Sequence, residues 1–204
     1  MKLILTSLSL MALAAAPAAA WAAAVGQPAP AFSATDTAGR TISLADFKGR
    51  HVVLEWVNPG CPYVRKHYES GNLPATQKQA TAQGVVWLAV NSTASEHGDY
   101  LPPGQLAAWM KARGAVPTAT LMDEDGQLGR AYGARTTPHM YVIDPKGVLV
   151  YAGAIDSKPT ANPADIASAT NHVNAALADT LAGRAVATPV TRPYGCAVKY
   201  GGAG

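Results

Sequence analysis

The chain has 204 residues, 49% of them hydrophobic, with 16 Lys and Arg against 13 Asp and Glu and a net charge of +3. That length suits one domain with appendages, and so slight a basic excess gives no electrostatic footprint for nucleic acid. Two cysteines, Cys61 and Cys196, cannot scaffold a domain of this size, which favours a catalytic or sensing role for them.

Residues 1–24 read as a secretory signal peptide. Met1-Lys2 precedes an apolar run from Leu3 to about Ala16, too short to span a bilayer, and Ala20-Trp21-Ala22 and Ala22-Ala23-Ala24 both fit a small-x-small cleavage rule. A periplasmic or secreted protein is expected, with no membrane association after cleavage, in a compartment where a disulfide can form. The domain itself is expected over 25–185, followed by a Pro/Gly-rich tail over 186–204 that carries Cys196.

After the proline-stiffened start at Val25 to Pro30, residues 32–35 and 41–44 predict short strands around a turn at Asp36, and 44–47 one helical turn stopped by Gly49. The nearly all-apolar run 52–57 predicts a strand buried on both faces. Asn58-Pro59-Gly60 breaks it, and Cys61 then stands directly before Pro62, a residue favoured at the first position of a helix. A helix is expected over 62–83, interrupted near Ser70-Gly71-Asn72 and resuming after Leu73-Pro74. A second buried strand follows at 85–90, then a long polar loop over 91–103. Leu106, Trp109 and Met110 at helical spacing predict a helix over 104–113. Residues 118–122 predict a strand and 127–132 a short helix ending at Gly133. Runs 140–143 and 148–155 flank Asp144-Pro145-Lys146-Gly147, a turn sequence that predicts an antiparallel hairpin. The last helix is expected over 164–181, with Ile166, Val173, Leu177 and Leu181 towards one face. The order predicts an α/β fold, a mixed central sheet with helices on both faces, parallel first and antiparallel at its end.

Cys61 thus falls at a strand–helix joint, where free N–H groups and the helix dipole favour a thiolate. It is expected as an exposed nucleophile with a lowered pKa. Arg65, Lys66 and His67 either add positive potential there or form a solvated helix face. Glu55 interrupts the apolar strand. An isolated buried carboxylate is costly and has a raised pKa, which suits a proton shuttle; a Glu at a sheet edge with a salt bridge is the alternative. Asp123-Glu124-Asp125-Gly126 lacks the further ligands of a calcium loop, and the five histidines show no metal spacing. No cofactor and no metal are expected.

The stretch from Val52 through Glu55 and Cys61 to Val64, the stretch Arg135-Thr136-Thr137-Pro138-His139 running on to Asp144, and Pro193-Tyr194-Gly195-Cys196 in the tail resemble thioredoxin-fold redoxins, in particular the secreted peroxiredoxin-like group related to alkyl hydroperoxide reductase and thiol-specific antioxidant proteins. The resemblance covers about residues 25–181. It implies a thioredoxin-like fold in which Cys61 matches the first cysteine of Cys-x-x-Cys, Glu55 the buried proton relay, and Thr137-Pro138 a cis-proline facing the active cysteine and holding substrate backbone. His139 either approaches Cys61 or points into the sheet. Two departures matter. Val64 stands where the second cysteine belongs, and the peroxidase pattern Pro-x-x-x-Thr/Ser-x-x-Cys has Leu54 and Asn58 in its Pro and Thr/Ser places. The resemblance therefore implies a thiol–disulfide oxidoreductase with Cys61 as nucleophile. A swinging tail, docked by Tyr194 and Tyr200, would bring Cys196 as resolving thiol. Its partners would be a protein or small-molecule disulfide substrate and an external thiol reductant. A permanent structural bridge or an intersubunit bridge at Cys196 remain alternatives. A thiol peroxidase acting on peroxide, and a non-catalytic redox-sensing or metal-binding module, are the competing functions.

Overall fold

The computed structural model describes residues 23–202. The leader expected over 1–24 lies, apart from its last two residues, outside them. In chain order the elements are β1 (Ser33–Asp36), β2 (Thr41–Ser43), a 3-10 turn (Leu44–Phe47), β3 (Val52–Trp56), α1 (Pro62–Glu69), α2 (Asn72–Ala82), β4 (Val86–Asn91), α3 (Pro103–Ala112), β5 (Ala119–Met122), α4 (Gln127–Tyr132), β6 (Thr136–Thr137), β7 (His139–Ile143), β8 (Leu149–Gly153), a second 3-10 turn (Pro163–Ser168), α5 (His172–Leu181) and β9 (Cys196–Ala197).

Seven strands form one sheet in the order β2-β1-β5-β4-β3-β7-β8. β3, β4 and β5 run parallel, while β7, β8, β1 and β2 pair antiparallel to their neighbours. β3 is central, and all five of its residues are buried. Successive side chains on a strand point to opposite faces, so β3 feeds two cores. Val53 joins Val57, Cys61, Tyr68, Leu106 and Leu177 on the face covered by α1, α2, α3 and α5. Val52, Leu54 and Trp56 join Leu128, Tyr132 and Tyr141 on the face covered by α4 and the N-terminal segment. Each fully buried Val or Leu of this kind stabilises the fold by about 1.5–3 kcal/mol.

Two helices begin differently from expectation. α2 starts at Asn72, so Pro74 lies in its first turn, where a missing N–H breaks no helical bond. The last helix starts at His172 rather than 164, because Asn171 caps it by accepting from the Asn174 amide at 2.9 Å. Residues 163–168 form only a 3-10 turn, and the next residue, Ala169, is extended; Ile166 is half-buried.

The tail is expected to be mobile, but the structure shows it docked along the molecule. Thr191 donates its amide to the Ala152 carbonyl at 3.1 Å. β9 then pairs antiparallel with β6 as a separate two-stranded sheet, in the register Thr136↔Ala197 and Thr137↔Cys196. Beyond it the Val198 amide donates to the Arg135 carbonyl (3.1 Å), the Ala94 amide to the Lys199 carbonyl (2.8 Å), and Tyr200 through its hydroxyl to the Ala134 carbonyl (2.8 Å). The backbone groups of this segment are thereby paired with three separate parts of the domain, which is why a Pro/Gly-rich stretch lies ordered there.

Candidate active site

Cys61 is the N-cap of α1, extended at φ −81° and ψ 121°, with Pro62 behind it at the first helical position. β3 delivers it: the strand ends at Trp56, and the Asn58 side chain shapes the turn by accepting from the Gly60 amide at 2.8 Å. Its amide group donates to Asp99 at 3.1 Å, which brings an acidic residue of the 92–102 loop over Gly60. The Asn58 found in the Thr/Ser place of the peroxidase pattern is therefore engaged on both sides.

The expected exposed nucleophile is not exposed. Cys61 is 1% accessible, because β9 lies across it. The Cys61 thiol donates to the Thr137 carbonyl at 3.0 Å, and Cys196 faces Thr137 across the β6–β9 ladder, packed against the core cluster that contains Cys61. Both cysteines are free thiols. Burial first, and then the neighbouring Cys61, push the Cys196 thiol up to about 12. The peptide between Thr137 and Pro138 is cis, and it sits at the junction of β6 and β7, directly beside the two sulfurs.

Glu55 is fully buried on the same sheet face as Cys61, but it is not isolated. Its carboxylate accepts from the Tyr68 hydroxyl (2.6 Å), the Trp87 indole N–H (2.7 Å) and the Gln77 amide (3.0 Å). Burial raises its pKa above the ordinary carboxylate value, and those three donors oppose the rise. Each of its hydrogen bonds goes to the α1, α2 and β4 side chains just named.

Lys66 and His67 form no solvated face; both side chains are buried. Lys66 Nζ donates to the Lys158 carbonyl at 3.0 Å and lies 3.7 Å from Asp156 Oδ2. His67 accepts at Nδ1 from Asn72 (2.8 Å) and donates from Nε2 to the Tyr194 hydroxyl (3.1 Å), which itself donates to Asp156. Burial lowers the His67 pKa to about 4; the Asp156 charge opposes this and the Lys66 charge adds to it. Arg65 remains on the surface, 3.4 Å from Glu69. His139 shares the opposite sheet face with Tyr141, whose hydroxyl lies 3.1 Å from its Nδ1, so it does not approach Cys61. Two participants, and the burial of a third, escaped sequence reasoning. Asp156 and Asp99 carry no local pattern. His67, however, stands in an i, i+3, i+4 stripe with Val64 and Tyr68 that marks a buried position.

A family model described as the AhpC/TSA family matches residues 25–152. The thiol-disulfide oxidoreductase ResA of Bacillus subtilis is 30% identical over 125 residues, 61% of this chain and 64% of that protein's length. A hypothetical protein of Sinorhizobium meliloti, 25% identical, superposes with a TM-score of 0.75 over 88% of this chain and 96% of its own. The thioredoxin domain of a thiol-disulfide oxidoreductase from Bacteroides vulgatus, 26% identical, superposes with a TM-score of 0.51 over 63% of this chain and 87% of its own. The sheet with its flanking helices is a thioredoxin-like fold.

Proposed function

The chain belongs to the AhpC/TSA family, and from that premise we propose that it is a thiol–disulfide oxidoreductase, exported to an oxidising compartment, in which Cys61 is the nucleophile and Cys196 the resolving thiol. The observation that carries this reading is the convergence of two cysteines distant in sequence on one residue: the Cys61 thiol donates to the Thr137 carbonyl, and the pairing of β9 with β6 sets Cys196 opposite Thr137. A second cysteine at position 64 is unnecessary when the tail supplies one at the same sulfur.

The steps balance as thiol exchange. Cys61 sulfur, as thiolate, attacks a substrate disulfide; a Cys61–substrate S–S bond forms and the other substrate sulfur leaves as thiolate. Cys196 then attacks the Cys61 sulfur, the Cys61–Cys196 disulfide forms, and the second substrate thiolate leaves. The substrate gains two electrons and the protein loses two. An external dithiol returns them by the same exchange in reverse. Cys196 must give up a proton to react, and Glu55, buried with a raised pKa on the same sheet face, is the group proposed to take it up. Thr137 and Pro138 hold the substrate backbone beside the sulfur, as strand addition does.

The test is turnover of the wild-type chain against Cys61→Ser and Cys196→Ser, with a disulfide substrate plus dithiol and, separately, with peroxide. The reading requires disulfide turnover that Cys61→Ser abolishes. Peroxide consumption exceeding disulfide exchange would replace it with the peroxidase reading, and no turnover of either with the non-catalytic one.

A further inference from the structure

In the structure the β6 edge beside Cys61 is occupied, and its occupant is the chain's own tail. Cys196 stands opposite Thr137, whose carbonyl accepts from the Cys61 thiol. That is the arrangement a cysteine-containing substrate backbone would adopt on the same edge. Two features fasten the occupant. Gly195 has φ +135°, a conformation that L side chains rarely adopt, and a Cβ there would run into the Thr137 carbonyl. Tyr194 is plugged beside the buried Lys66–Asp156 pair: its hydroxyl accepts from His67 and donates to Asp156, and its ring lies 5.7 Å from Lys66 Nζ and 5.9 Å from the Tyr63 ring. Asp156 is 3% exposed, with the Tyr194 hydroxyl hydrogen-bonded to it.

We propose that residues 194–197 are a tethered competitor for the substrate cleft, and that Tyr194 in its Lys66–His67–Asp156 socket sets how often the strap lets go. The proposal rests on the oxidoreductase reading above. An extended polypeptide disulfide reaches Cys61 only when β9 leaves. When the strap returns it takes back the same edge, so resolution by Cys196 and eviction of the reduced polypeptide are one movement. The substrate class that fits is an unfolded or extended segment able to replace a β-strand, since the site is a backbone edge and not a closed small-molecule pocket.

The test uses the reduced full-length chain, with iodoacetamide alkylation of Cys61 read by peptide mapping and amide hydrogen exchange read alongside. Tyr194→Phe removes the hydroxyl and keeps the ring. Losing a hydrogen bond to a charged acceptor is expected to raise the alkylation rate of Cys61 about ten- to a hundredfold. Gly195→Ala, which leaves the polar socket untouched, is expected to raise it at least as much. In both variants the Val198 and Ala94 amides, which bond across the strap, exchange faster while the β3–β4 ladder amides keep their wild-type protection. Unchanged Cys61 alkylation in both variants overturns the proposal. So does acceleration accompanied by equal loss of protection in the β3–β4 ladder, which is unfolding and not strap release. Faster alkylation with no exchange against a reduced-and-scrambled polypeptide disulfide upholds the strap as a gate over Cys61 and overturns the oxidoreductase reading instead.

Discussion

Glu55→Gln separates the structural from the chemical role of the buried carboxylate. The substitution keeps the shape and removes the charge and the titratable proton. The new amide oxygen still accepts from Trp87 and Gln77, which share one carboxylate oxygen. Its nitrogen then faces Tyr68, whose hydroxyl proton now points at Glu55 from 2.6 Å and must find another acceptor. That displaced charge-assisted bond costs about 1.5–3 kcal/mol, offset in part because no charge remains to be desolvated. A net loss of no more than about 3 kcal/mol is expected, and the fold survives. Glu55→Ala instead strands three buried donors at about 1–3 kcal/mol each and is expected to unfold readily. The pH dependence has a definite sign. The folded pKa of Glu55 lies above its ordinary value, so its contribution to stability is fully present below the unfolded pKa and is lost as pH rises through the folded one; Glu55→Gln flattens that slope. Exchange with a dithiol, followed by stopped flow, is expected to slow about a hundredfold if Glu55 moves the proton. A folded Glu55→Gln protein with the wild-type exchange rate removes Glu55 from the mechanism.

Cys196→Ser should stall after the first attack and accumulate a Cys61 mixed disulfide with substrate, visible as added mass under non-reducing conditions. Acid should destabilise the protein through two buried histidines, His67 and His139, each lowered by burial to about 4 from 6.5. The unfolded chain takes up those protons first, so stability falls as pH drops from about 6.5 towards 4, by about 3 kcal/mol per histidine at most. Urea midpoints against pH should show a shallower acid limb in His139→Gln. Gly129→Ala places a Cβ against the Tyr200 hydroxyl and 2.9 Å from Ser92 Oγ; it should release the end of the tail, measured as faster exchange at the Ala94 amide, with the β3–β4 ladder unchanged.

Hydrophobic patterning made the central elements legible. The run 52–57 reads as a doubly buried strand because all its residues but one are apolar, and β3 is buried throughout. Pro62 marks the start of α1 and Asp144-Pro145-Lys146-Gly147 the β7–β8 hairpin, since each is a local rule about φ or an absent N–H. What escaped was non-local. β9 is two residues long in a Pro/Gly-rich segment and has no period to read; only its pairing with Thr136 and Thr137 makes it a strand. The burial of Cys61 follows from that pairing, so a reading of its neighbours alone expects an exposed thiol. Lys66 reads as solvent-facing because its buried counter-charge, Asp156, comes from the far side of the β8 connection. The expected start of the last helix missed because alanine content suggests helix, whereas Asn171 supplies the cap that begins it.

The most direct measurement of the central claim is non-reducing peptide mapping of the full chain after one equivalent of a mild thiol oxidant. The account predicts a single intramolecular product joining Cys61 to Cys196. Two thiols still open to alkylation under denaturing conditions, or a bond joining two chains, would contradict it.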